Sequence, residues 1–493
     1  MTLPANTPSR PAIRIPRLYL SAAHKSSGKT TITLGLCAAL RARGLDARPF
    51  KKGPDYIDPI WLGMAAGHDC HNLDFHTMDR AEIRRMFTRQ SAGGDVALIE
   101  GNKGLYDGVD LEGGNSNAAL AQWLDTPVVL VVDTRGMTRG IAPLLRGYLG
   151  FEPKVTIAGV LLNQVGGARH EGKLRAAVER YTDLPVLGAI GHDSALLLPE
   201  RHLGLIPGNE FGDASGFIAR AARAMEEYVD LDRLLAVAAS APPLPAGEEP
   251  GEESGEEQSA GDLSPACPPA RGKVTIAIAR DAAFGFYYPD DLAALGRAGA
   301  ELVFFNALSD TALPEADALF IGGGFPEVHM RALEANQKLR RAIRVAIEGG
   351  MPAYAECGGL MYLTRGITWR GERREMAGVL PAESIMHDRP QGKGYVRLQE
   401  TGQAPWGRAS SGEPAGDGII EAHEFHHASV SLLGEGEGID YAYRVLRGHG
   451  LDGQHDGIVY RNLLAGFSHL RDVEKNHWAA RFVAYVRKAR QTR

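Results

Sequence analysis

The sequence predicts two doubly wound α/β domains, each built on a parallel sheet, joined by an extended acidic linker. Three observations carry this reading. Short runs of continuous rather than alternating apolar residues recur in both halves, the mark of strands covered on both faces. They are RLYLSA, DVALIE, PVVLVVD and VTIAGVLLN in the first half, and VTIAIAR, ELVFFNA, DALFIGGG and PAYAEC in the second. Helical stretches, such as residues 30–44 and 336–348, alternate with these runs in the order of βαβ units. Finally, residues 241–272 are rich in Pro, Gly, Glu and Ser, including GEEPGEESGEEQ. Such a stretch buries no apolar surface and repels itself. The expected division is a first domain over residues 1–240, a disordered linker over 241–272 and a second domain over 273–493, with no internal repeat between the halves.

Bulk properties narrow the function. A chain of 493 residues is too long for one ordinary domain. Its 44% hydrophobic and 23% charged residues suit a globular enzyme. A net charge of -6 argues against a nucleic-acid partner, which calls for a basic face. Cys37, Cys70, Cys267 and Cys357 lack CxxC spacing, so neither a disulfide framework nor a zinc site is expected and the reducing cytoplasm is the default. The longest apolar run, residues 127–132, has the length of a buried strand, far short of the roughly 18 residues that cross a bilayer. The proline-rich N-terminus has no apolar core of a signal peptide.

RLYLSA runs into His24-Lys25-Ser26-Ser27-Gly28-Lys29-Thr30-Thr31 and then an apolar helix. Strand, small-residue loop, Gly-Lys-Thr and helix together point backbone N–H groups and a helix N-terminus at phosphates. Gly28, Lys29, Thr30 and Thr31 are therefore the expected nucleotide-binding residues. Lys29 would neutralise β- and γ-phosphates, and the Thr30 hydroxyl would reach Mg²⁺. The first glycine of the usual GxxxxGK[ST] pattern is Ala23 here. FKKGPDYIDP brings Asp55 and Asp58 into a Gly/Pro-shaped turn, and DVALIE ends in Glu100 before GNKGLYDG. An acid at the C-terminal end of a parallel strand lies where ligands bind in open α/β sheets, which makes Glu100 a natural Mg²⁺ ligand.

At the other end, PAYAE leads into Cys357-Gly358-Gly359 and a helical run. A cysteine on a tight strand-to-helix turn has its sulfur exposed and its thiolate favoured by the helix N-terminus. Gly358, together with Gly323 and Gly324 in the upstream GGGFPE turn, can bring backbone N–H groups to a tetrahedral oxyanion. His469, in GFSHLR, is the candidate base.

The order and spacing of SSGKTT, FKKGPDYIDP, NLD (Asn72–Asp74), IEGNKGLYDG and LPERHLGL resemble the cobyrinic acid a,c-diamide synthase family, whose ATP domain is similar to dethiobiotin synthetase. The second half resembles a class I glutamine amidotransferase. The resemblance implies that Asp55, Asp58 and Glu100 arrange Mg²⁺ and a substrate carboxylate, that Asn163 contacts adenine, and that Tyr56, Asn72, Asp74, Tyr106 and His426 line a substrate pocket. It also places the His/Cys-rich stretch His68 to His76 in a metal-free pocket wall. AFGFYYP departs from the family's AFNFYYP at Gly285, and HEFH recurs at His423 to His426. Most class I amidotransferases carry a Glu two residues after the His; here it is Arg471, as in the corrinoid branch, which leaves open what orients the imidazole.

The implied reaction uses ATP and Mg²⁺ to turn an acetate side chain into an acyl phosphate, and glutamine to supply ammonia through a Cys357 thioester. The implied substrate is a tetrapyrrole polycarboxylate, amidated on its a- and c-acetates, with a homodimer compatible. Cobyrinic or hydrogenobyrinic acid leads; siroheme or sirohydrochlorin is the alternative. From another class comes a partitioning ATPase of the deviant P-loop type, but His24 occupies the place of its signature lysine and no such protein carries a fused Cys357 domain.

Overall fold

The computed structural model describes residues 13–201, 204–244, 272–407, 418–434 and 438–492. These fall into two compact units, residues 13–75 with 79–244 and residues 76–78 with 272–492.

In the first unit, β1 (Arg17–Ala22), β2 (Ala47–Lys52), β3 (His71–Leu73), β4 (Val96–Glu100), β5 (Val128–Asp133), β6 (Ile157–Val165) and β7 (Val186–Gly191) form a sheet in the order β3-β2-β4-β1-β5-β6-β7. Every pairing in it is parallel. A small ribbon, β8 (Glu200–Arg201) and β9 (Gly204–Leu205), lies beyond it. The helices are α1 (Lys29–Ala42), α2 (Ile57–Ala66), α3 (Arg80–Ser91), α4 (Asn117–Trp123), α5 (Ile141–Phe151), α6 (Ala168–Tyr181), α7 (Ala214–Tyr228) and α8 (Leu231–Ala239). All six residues of β1 are buried, as its continuous apolar pattern requires of a strand covered on both sides. One face packs Leu18 and Leu20 against Ile32 and Leu36 of α1 and Phe217 and Met225 of α7. Strand order reverses at β1, so the C-terminal ends of β1, β4 and β2 lie side by side at the switch point.

Among the described residues, the second unit holds two sheets. Its strands are β10 (Val274–Ala279), β11 (Ala300–Phe305), β12 (Ala318–Ile321), β13 (Ala353–Glu356), β14 (Gly366–Trp369), β15 (Glu372–Glu375), β16 (Ala382–Met386), β17 (Gly392–Glu400), β18 (Ile419–His426), β19 (Ala428–Leu432), β20 (Asp440–Arg447), β21 (His455–Tyr460) and β22 (Leu463–Gly466). The larger sheet runs β11-β10-β12-β13-β22-β21-β20-β17-β18 and the smaller β15-β14-β16-β19. The helices are α9 (Pro289–Arg297), α10 (Met330–Ala335), α11 (Gln337–Glu348), α12 (Gly358–Leu363) and α13 (Trp478–Gln491).

From β11 to β22 the larger sheet is parallel, as expected, but β21, β20, β17 and β18 extend it antiparallel. These strands mix buried and exposed positions, as in GKGYVRLQE, so a search for continuous apolar runs passes over them. Ala241–Leu244, expected to open the linker, belong to the first unit. Leu244 bridges Ile13, and the buried Arg17 guanidinium donates to the Pro242 carbonyl at 2.7 Å. The remainder of the expected linker, through residue 271, lies outside the described residues, as do Cys267 and His202 and Leu203 of LPERHLGL.

Candidate active sites

In the first unit, the turn between β1 and α1 has a geometry that could accept a phosphate. Gly28 is left-handed at φ 85°, and no side chain caps α1, so the first N–H groups of the helix keep their free donor capacity. A Cβ on Gly28 would meet the Asn163 amide nitrogen at 2.3 Å, so glycine alone fits. Asn163 itself donates to the Ser27 carbonyl at 2.9 Å and so braces the loop that it was expected to flank as an adenine contact. The Thr31 hydroxyl donates to the Leu196 carbonyl at 3.3 Å. Lys29, 8% exposed, donates to the Lys103 carbonyl at 2.7 Å. Burial lowers its ammonium to about 8, although Glu100, Asp58 and Asp107 pull the other way.

Around this loop the expected acids converge, together with a lysine that the sequence reading left out. Lys51 and Glu100 are register partners on adjacent strands β2 and β4. The Lys51 ammonium donates to Asp58 Oδ2 at 2.5 Å and Glu100 Oε1 at 2.6 Å, and stands 3.8 Å from Asp55. Burial alone would lower Lys51, but these carboxylates hold it well above the usual range, so it is a fixed cation. The Thr30 hydroxyl donates to Glu100 Oε1 at 3.0 Å and Asp58 Oδ2 at 3.4 Å. Asp55 accepts from the N–H groups of Ile57 and Asp58 and fixes the start of α2.

Among the described residues no three His, Cys, Asp or Glu side chains form a ready-made metal cluster. Mg²⁺ binds by one or two carboxylates plus phosphate and water oxygens. Thr30 Oγ1, Asp58 and Glu100, whose Oε2 is buried without a hydrogen-bond partner, fit that demand.

The other expected pocket residues divide. Asn72 donates to the carbonyls of Gly53 at 2.8 Å and Asp55 at 2.7 Å, shaping the GPD turn, while Tyr56 and Asp74 are buried beside it. Tyr106, partly buried, donates to the Tyr148 carbonyl at 2.6 Å. His68 pairs with Asp46 at 2.9 Å.

In the second unit, Cys357 joins β13 to α12 at φ 46°, a strained conformation for a non-glycine residue and the geometry of a nucleophile elbow. Its N–H donates to the Gly466 carbonyl on β22 at 2.7 Å. The Gly322–Gly324 turn after β12 lies directly against it. A Cβ on Gly358 would come within 3.0 Å of Gly324 N, and one on Gly324, at φ 154°, within 2.0 Å of the Ala283 carbonyl. AFGFYYP laces that turn, with Gly285 and Phe286 donating to the Gly323 carbonyl.

His469 follows β22, whose Gly466 is the register partner of Glu356 on β13. Its ring is 3% exposed, and a Cβ on Gly323 would meet its Cε1 at 2.7 Å. It hydrogen-bonds the Cys357 side chain. Nδ1 donates to Glu356 Oε2 at 3.1 Å, because a carboxylate has no proton to give. Burial alone would lower His469; the bonds to Cys357 and Glu356, with their charges, outweigh it and hold the imidazole up at about 10. His423 stacks on it with ring centres 4.9 Å apart and is itself kept neutral by burial. Arg471 turns elsewhere: its guanidinium is 3.6 Å from Asp290 and lies over the Tyr288 ring. His426, expected in a substrate pocket, stacks on Phe467 at 3.8 Å and meets the Ala428 carbonyl at 2.8 Å.

These two arrangements find their match in known families. Residues 22–206 match the CobQ/CobB/MinD/ParA nucleotide binding domain, and residues 275–476 the CobB/CobQ-like glutamine amidotransferase domain. The chain is 48% identical to the cobyrinate a,c-diamide synthase of Magnetococcus marinus, over 94% of this chain and 96% of that one. It is 39% identical to the enzyme of that name from Methanosarcina acetivorans, over 97% of both chains. Identity to the one from Archaeoglobus fulgidus is also 39%, over 95% of this chain and 97% of that one. With nearly full-length identity of this order across both matched domains, the chain belongs to the cobyrinate a,c-diamide synthase family.

Proposed function

We propose that this chain is an ATP- and glutamine-dependent ligase that amidates the a- and c-acetate carboxylates of cobyrinate or hydrogenobyrinate, in cobalamin biosynthesis. The observation that carries the reading is the presence, in one chain, of the Cys357–His469 couple and the Lys29/Lys51/Glu100 phosphate site. Residues 1–240, with Ala241–Leu244 joined to them, make up the ATP-dependent part and residues 273–493 the glutamine-dependent part.

A carboxylate does not condense with ammonia at neutral pH, so its oxygen must first become a leaving group. The α1 N-terminus, Lys29 and Lys51 hold the γ-phosphate of ATP while a substrate acetate oxygen attacks it. The products are an acyl phosphate and ADP. Thr30, Asp58 and Glu100 would hold Mg²⁺, which when bound would supply charge neutralisation on the phosphates. At the other site the Cys357 thiolate attacks the side-chain amide carbon of glutamine, and the oxyanion is met by N–H groups of the Gly323–Gly324 turn and Gly358. His469 protonates the departing nitrogen, the C–N bond breaks, and ammonia leaves a glutamyl thioester. Water, deprotonated by the now neutral imidazole, releases glutamate. The ammonia displaces phosphate from the acyl phosphate to give the amide.

The siroheme alternative is not favoured, since the relatives named above all carry the cobyrinate name. The partitioning-ATPase reading has no use for the domain matched over residues 275–476. The proposal extends to a cytoplasmic enzyme, where ATP and glutamine are at hand, and admits a homodimer; among the described residues no helix is long and apolar enough to cross a membrane. Cys357→Ala tests the division of labour. Glutamine-dependent amidation should vanish while ammonia-dependent amidation persists; glutamate release by that variant would refute Cys357 as nucleophile.

A further inference from the structure

We infer that Glu356, the residue immediately before the nucleophile, is the positioning residue for His469 and takes the part that other class I amidotransferases give to an acid two residues after the histidine. The inference rests on the glutaminase reading of Cys357 and His469.

The strand itself builds the arrangement. In Ala353-Tyr354-Ala355-Glu356 the period of two puts Tyr354 and Glu356 on one face of β13. Parallel pairing sets Glu356 opposite Gly466, three residues before His469. The carboxylate is 4% exposed and fully engaged. Oε2 accepts from His469 Nδ1 at 3.1 Å, and Oε1 accepts from the Leu470 N–H at 3.0 Å and from the Tyr354 hydroxyl. Tyr354 is locked in an aromatic cluster with Phe320, Trp478 and Trp406, and burial keeps its hydroxyl protonated as a donor. Glu356 therefore has one seat, and from it the carboxylate fixes the tautomer that leaves Nε2 for the Cys357 sulfur.

No competing acid is present at the usual position. Arg471 stands there, committed to Asp290 and the Tyr288 ring. Among the described residues, the titratable groups facing His469 include Cys357 and Glu356 from the β13–α12 turn and the neutral His423 from β18. Asp456 braces the preceding loop by accepting from the N–H groups of Gly457, Phe467 and Ser468, which leaves the imidazole to Glu356.

The test is Glu356→Gln beside Glu356→Asp in the full chain. The Gln amide can keep its oxygen toward Leu470 and Tyr354 only by presenting its NH₂ to His469, which enforces the wrong tautomer. Glutaminase kcat should fall on the order of 10³–10⁴-fold with KM for glutamine little changed. The alkaline limb of the glutaminase pH profile should move down by about 1–3 units once the facing charge is gone. Ammonia-dependent amidation should stay at the wild-type rate. Glu356→Asp, which keeps the charge, should hold the alkaline limb and exceed the Gln variant in kcat. Wild-type kcat and pH profile in Glu356→Gln would overturn the inference. So would parallel loss of ammonia-dependent amidation, which means a prop for the fold, or equal loss in both variants, which means that the charge is irrelevant. A wild-type enzyme without glutaminase activity would instead sink the reading on which the inference rests.

Discussion

At both proposed sites the chemistry rests on single side chains, and their protonation gives the sharpest expectations. Lys29 is lowered to about 8 by burial, so by itself it is charged only below that pH. Phosphate oxygens restore the charge. Below about pH 8 nucleotide binding needs no proton, and above it binding must take one up. ATP affinity should thus be flat to about pH 8 and then weaken by up to about tenfold per unit, as titration calorimetry would measure. Affinity that is constant through the alkaline range would contradict this role. His469 obeys the same sign rule. Its imidazole is raised from 6.5 to about 10, so the stabilisation from its bonds to Glu356 and Cys357 is fully present below pH 6.5 and is lost as pH rises through about 10. At this scale the sequence was readable where motifs are local. Cys357, Lys29 and Glu100 could be named as candidates because neighbouring residues frame them. Glu356 ends a buried strand just as Glu100 does, and that shared signal could have found it, but its place inside the cysteine motif drew it into the elbow. Lys51 became visible only when register put it beside Glu100.

At the scale of elements, the proposed glutamine site depends on how closely two turns approach. Gly324 has φ 154° and no room for a Cβ, since the Ala283 carbonyl would be 2.0 Å away. Gly324→Ala must push apart the Gly322–Gly324 turn and the AFGFYYP segment that covers it, displacing the N–H groups proposed to meet the oxyanion. Losing one such donor costs about 2.7–4 kcal/mol in the transition state. Glutaminase kcat/KM should therefore fall by about 10²–10³-fold while ammonia-dependent amidation continues. Unchanged kcat/KM would remove this turn from the oxyanion hole. The parallel strands were legible because burial on both faces writes a continuous apolar run. The antiparallel extension was not, because β17, β18 and β20 mix polar and apolar positions as loops also do.

For the whole molecule, two α/β units in one chain fit a reaction that needs an activated acyl group and a supply of ammonia. Composition sets the expected break between them at a Glu-, Gly- and Pro-rich stretch, which cannot form a core. Ala241–Leu244, counted with that stretch, belong with the first unit, where burial of Leu244 and pairing with Ile13 join distant parts of the chain. The macrocycle is the finest level of the account, and mass spectrometry addresses it. The purified full chain is given ATP, Mg²⁺ and glutamine with cobyrinic acid, hydrogenobyrinic acid, sirohydrochlorin or siroheme in separate reactions. The account predicts that cobyrinic or hydrogenobyrinic acid alone changes mass, by replacement of two OH groups with two NH₂ groups and only when ATP is present. Amidation of the siroheme-type rings alone, or of none of the four, would contradict it.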